Sequence, residues 1–76
     1  MGWADGSWIA DRIWEKVRRY IKIENYKIVS KSIYKIFEEY DADDWGYQLQ
    51  SKDSLYYTYL SLNKPKQLKE EILEYG

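Results

Sequence analysis

Seventy-six residues with no cysteine and no histidine make one domain near the lower size limit for a self-sufficient core, and they remove disulfides and the usual zinc sites together. Four Trp, nine Tyr and one Phe are the remaining means of stabilisation, since each buried aromatic takes roughly 150–250 Å² out of water. Net charge is −1, but residues 1–37 carry +4 and residues 38–76 carry −5, a dipole suited to packing against a complementary surface. No run of about 18 apolar residues is present to span a membrane. The first residues lack the basic and apolar regions of a signal peptide. A cytoplasmic location, with no membrane and no cofactor, is the expectation.

The opening MGWADGSW places two tryptophans where small proteins usually carry a polar tail. Ser7, with Asp5 as the alternative, is the expected N-cap of a first helix from about Trp8 to Ile21. Ile9, Ile13, Val17 and Tyr20/Ile21 recur at helical spacing, with Ala10 and Trp14 widening the stripe. Asp11, Glu15, Arg18 and Lys22 form the opposite, solvated side. Trp3 reads as a plug folded back on the helices, Trp8 as a partner-facing residue.

Glu24-Asn25 breaks the pattern, and Asn25 is the expected cap of a second helix over Tyr26–Tyr40. Its seam is Val29, Ser32, Ile33, Ile36, Phe37 and Tyr40. The short turn makes the pair an antiparallel hairpin. Lys27, Lys31 and Lys35 stand four apart on the other side. They are a possible nucleic-acid face with Arg12, Lys16 and Arg19, although the chain lacks the net positive charge of such binders.

DADDWGYQLQSKD reads as irregular, with one helical turn over Tyr47–Gln50. Counted from Asp41 as a calcium loop, Gly46 fits its position, but Trp45 and Lys52 occupy ligand positions. Asp41, Asp43 and Asp44 are therefore read first as turn or capping residues, with partner contact as the alternative, and no metal is expected. Asp53-Ser54 offers a cap before LYYTYLSL, which fits a strand by composition and a helix by the spacing of Leu55, Tyr59 and Leu62. With no second strand to pair with, helix is the better fit. Trp45, Tyr56 and Tyr57 are the remaining candidates for partner contact. Asn63-Lys64-Pro65 reads as a cap and first turn of a last helix carrying Leu68, Ile72 and Tyr75, with Gly76 ending the chain. The expected fold is a single all-α domain, a small three- to four-helix bundle with an N-terminal helical hairpin and an aromatic-rich core.

No nucleophile–base pair, phosphate loop or serine elbow is present, and a chain this small leaves little room for a substrate cleft. Enzymatic activity is not expected.

Gly2, Trp3, Gly6 and Ser7, followed by Ile33, Tyr34, Phe37, Glu38, Asp41 and Asp43, resemble a family of short bacteriophage and prophage proteins. Its members open Met-Gly-Trp and carry an Ile-Tyr segment before Phe-Glu and Asp-x-Asp. The resemblance spans residues 1–45. It implies a phage origin and supplies no mechanism. A phage accessory protein of this kind is expected to bind a host or phage macromolecule, inhibition of a host defence or metabolic protein being one form of such binding. The alternatives are a nucleic-acid-associated regulator and a mainly structural homo-oligomer.

Overall fold

A computed structural model describes residues 3–75; Gly2 and Gly76, named above, lie outside the described residues. Four helices follow in chain order: α1 (Ala4–Val17), α2 (Tyr26–Glu39), α3 (Leu55–Asn63) and α4 (Pro65–Tyr75). Short 3-10 turns at Arg18–Tyr20, Ile23–Asn25 and Gly46–Gln50 complete the backbone. The described residues contain no strand, and no helix among them is long and apolar enough to cross a membrane. The all-α bundle with an α1–α2 hairpin is the fold the residue pattern implied.

α1 starts four residues earlier than expected, because the opening is fastened from outside the helix. The Trp3 N–H donates to Asp41 O at 2.6 Å, and Trp3 O accepts from Asp43 N and from Gly6 N, each at 3.1 Å. The first two bonds form a parallel bridge between Trp3 and Ala42. Ser7 and Asp5 therefore lie inside α1, and neither is its N-cap. Ser7 is buried, and its hydroxyl donates to Asp44 O at 3.1 Å. The Trp3 indole stacks on Phe37, centroids 6.0 Å apart, yet Trp3 remains 41% exposed. It is a partial plug.

α2 runs as expected to Glu39, but Asn25 makes no side-chain cap bond. The helix ends in a Schellman arrangement: Ala42 N donates to Phe37 O and Asp41 N to Glu38 O, each at 3.0 Å. Asp41 at φ 65° occupies the left-handed position that glycine usually fills. Asp44 is also left-handed, at φ 63°. Aspartate tolerates this region better than most residues.

The segment 55–63 is helical because its tyrosines stack inside the bundle. Leu55, Tyr56, Thr58, Tyr59 and Leu60 are all buried, so no single face of α3 is left to water. The first N–H groups of α3, which no helix can satisfy internally, are met from three directions. Asp11 Oδ1 in α1 accepts from Leu55 N at 2.8 Å, Gln48 Oε1 from Tyr56 N at 3.0 Å, and Ser54 Oγ from Tyr57 N at 3.2 Å. Ser54 is thus the expected cap, with two partners that sequence reasoning missed. Asn63 is the last residue of α3 and does not cap α4; its Nδ2 donates to Tyr59 O and Lys27 O.

Tyr34 organises the aromatic core from α2, lying 4.3 Å from Tyr59, 4.8 Å from Trp45 and 5.6 Å from Tyr56 by ring centroids. Trp14, Leu55 and Leu60 are fully buried beside it.

Candidate interaction surface

α1 faces the core with an unexpected side. Ser7, Ala10 and Trp14 are buried, whereas Ile9 and Ile13, the heart of the expected inward stripe, are 37% and 40% exposed. The volume of the Trp14 indole, packed edge-on against Tyr26 at 5.1 Å, and the close approach allowed by Ala10 set the helix's rotation. Asp11 must also turn inward to reach Leu55 N. Ile9 and Ile13 are left on the outer side with Trp8, which is 57% exposed. Together with Arg12, Lys16 and Val17 they line one open depression along α1.

The charges of this face are both positive. Arg12 lies over the Trp8 ring, 5.9 Å from its centroid, and reaches Glu15 at 3.9 Å in an exposed pair, an interaction of small energetic weight. Lys16 has no ion pair among the described residues. No carboxylate lines the depression.

The other candidate residues are dispersed. Trp45 and Tyr56, expected to face a partner, are buried instead. The Trp45 Nε1–H donates to Ala42 O at 3.2 Å, and the Tyr56 hydroxyl meets both Glu71 carboxylate oxygens at 2.8 and 2.7 Å. Four large rings fill one core, and these two pack against Tyr34 together with Tyr59. Tyr57 is half-buried, and Asp41, Asp43 and Asp44 are exposed. The backbone of the aspartate loop serves as the clamp for Trp3 and Ser7, which is the turn role expected of it. No group of three or more His, Cys, Asp or Glu suited to holding a metal occurs among the described residues.

Lys27, Lys31 and Lys35 are exposed along α2, and Lys35 reaches Glu38 at 3.9 Å. The α1 cations do not all extend that row. Arg18 turns to the acidic loop, pairing with Asp53 Oδ1 and donating to Asp53 O, both at 3.2 Å, while Arg19 lies over Tyr20.

Burial shifts several titrations. Desolvation raises the Asp11 pKa, opposed by the bond from Leu55 N. Tyr34 and Tyr56 are pushed well above the usual tyrosine range, first by burial and then by hydrogen bonds to Glu38 and Glu71 respectively. These hydroxyls are donors held protonated, the opposite of an activated base.

Ile9 and Ile13 were the residues that sequence reasoning missed at this surface. Their signal was available in the spacing of Ala10 and Trp14, four apart and flanked by Ser7 and Asp11, which marks a competing inward face. No family model matches the chain, and neither the curated proteins nor the solved structures contain a match. The fold and this surface define a small helical bundle in which α1 turns an apolar, cationic face to solvent.

Proposed function

We propose that this protein is a non-enzymatic accessory protein of phage origin that acts by binding a host or phage macromolecule through the outer face of α1. The observation that carries the reading is the solvent-facing set Trp8, Ile9 and Ile13 beside a fully buried Ala10 and Trp14. A small domain short of core has every reason to bury three large apolar groups. Leaving them out on one helix face fits a surface that is covered in use, and exposed Trp is a frequent hot-spot residue. Inhibition of a host defence or metabolic protein is one form such binding takes.

The test is affinity capture from host lysate with wild type and with Trp8→Ala and Ile13→Lys. Both variants should keep the wild-type melting curve and lose a stoichiometric protein that wild type retains. Capture that is unchanged in both variants would sink the reading.

The exposed row Lys27, Lys31 and Lys35 favours a second reading, a nucleic-acid-associated regulator. Gel shift at about 50 mM salt decides it, because phosphate contacts are strongest at low ionic strength. No shift there ends it.

A further inference from the structure

We infer that the outer face of α1 receives an acidic amphipathic helix of a protein partner. The inference rests on the docking reading above and names the chemistry of its occupant. The floor of the face is Trp8, Ile9, Ile13 and Val17, and its only charged members are Arg12 and Lys16. From Trp8 to Val17 the face runs for about 13 Å of helix, which a partner helix covers with anchors at i, i+3 or i+4, and i+7. Flanking carboxylates on that helix meet Arg12 and Lys16, whose one ion pair among the described residues is the weak contact of Arg12 with Glu15, beside its place over the Trp8 ring.

Charge decides against the other occupants. A second copy docked through the same face brings two Arg12–Lys16 sets together with no carboxylate lining the depression to offset them, and this repulsion opposes self-pairing. An anionic bilayer would attract Arg12 and Lys16, but it would also meet a chain of net charge −1 whose residues 38–76 carry −5. Three large apolar side chains over so short a length are also a small anchor for an interfacial helix. A peptide helix is narrow enough to lie against Arg12 and Lys16 alone, whereas a bilayer also meets the exposed aspartates of the 41–44 loop, which is fastened to the start of α1.

The experiment measures binding of helical peptides that share one leucine stripe and differ only in flanking residues: Glu, Gln or Lys. Wild type should bind the Glu-flanked peptide about tenfold more tightly than the Gln-flanked one, with an affinity that falls as salt rises, and should reject the Lys-flanked peptide. R12E/K16E, both substitutions lying on the exposed face, should invert that order while melting like wild type. Trp8→Ala should abolish binding in either background. Equal binding of Glu- and Gln-flanked peptides, or preference for Lys, overturns the inference and leaves the docking reading intact wherever Trp8→Ala still abolishes binding. Failure of every peptide overturns the inference, as does Trp8-dependent sedimentation with phosphatidylserine vesicles in its place. Peptide binding indifferent to Trp8→Ala removes the face itself, and the docking reading with it.

Discussion

Gly6 sits directly beneath the Trp3 indole: a Cβ at Gly6 would lie 2.7 Å from Trp3 Cε3 and 2.7 Å from Ala42 Cβ. The half-exposed indole can swing away, but Ala42 is held by its bond to Phe37 O. Gly6→Ala should therefore destabilise the protein by roughly 1–3 kcal/mol, as for other overpacked sites, and thermal melting measures it. Gly6 has no positive φ, so the effect is one of space and not of backbone conformation.

Trp3, just before α1, and Trp14 within it differ in depth. Trp14 is fully buried, and Trp3 keeps 41% of its surface in water. Trp14→Ala should cost about 3–5 kcal/mol, enough to approach the whole stability of so small a domain. Trp3→Ala should cost about 2 kcal/mol, because only part of its area leaves water on folding. Urea titrations of the two variants should rank them in that order.

Gln48 ties three segments together. Its Nε2 donates to Ser7 O at 2.8 Å, its Oε1 accepts from Tyr56 N, and its backbone O accepts from Ser54 Oγ at 2.7 Å. Gln48→Leu leaves the buried Tyr56 N–H without its acceptor and takes the amide donor away from Ser7 O, and should cost roughly 1–3 kcal/mol. Gln48→Glu keeps the acceptor for Tyr56 N and loses the donor to Ser7 O. Calorimetric unfolding should place Gln48→Leu and Gln48→Glu both below wild type.

Alkali should unfold the protein through Tyr34 and Tyr56. Their folded pKa values are raised above the unfolded value near 10, so the native state binds more protons once pH passes about 10. The stability they contribute is fully present below that pH and is lost as pH rises beyond it. Ultraviolet titration should show these two tyrosines silent until a cooperative release that coincides with loss of helicity. Y34F/Y56F should move that transition to higher pH.

Asp41 holds the left-handed C′ position of α2 with a carboxylate at the negative end of the helix dipole. Glycine there removes both the conformational strain and the unfavourable charge. Asp41→Gly should raise stability by about 0.5–1 kcal/mol, read as a higher midpoint in guanidinium. A lower midpoint would mean that the carboxylate has a favourable partner.

α2 was legible in its bounds to within a residue but not in its seam: Ser32, Ile36 and Tyr40, expected inside, face solvent, whereas Ser30 is buried and Tyr34 stacks in the core. α1 was legible as a helix but not in its start or rotation. Ser7 has the chemistry of a cap, and only the loop at Asp41–Asp44, distant in sequence, supplies the bonds that let the helix begin at Ala4. The rotation follows from Trp14 outweighing Ile9 and Ile13 once Asp11 must reach Leu55. In the same way, Tyr56 and Trp45 read equally well as interface or core until Tyr34 is seen packed against both. What sequence could not carry, in each instance, was a long-range partner.

The dependence of α3 on Asp11, Gln48 and Tyr34 has a consequence for synthesis. A ribosome delivers α1 and α2 first, yet Tyr34 has only Trp45 to pack against until Tyr56 and Tyr59 emerge. Nor does Asp11 have an N–H to accept from before Leu55 arrives. Trp14 against Tyr26 and Trp3 against Phe37 are the ring pairs that can form within the hairpin, and the rest of its inner face waits for the last third of the chain. A chain cut before α3 lacks Leu55, Tyr56, Tyr59 and Leu60, the residues that close its core.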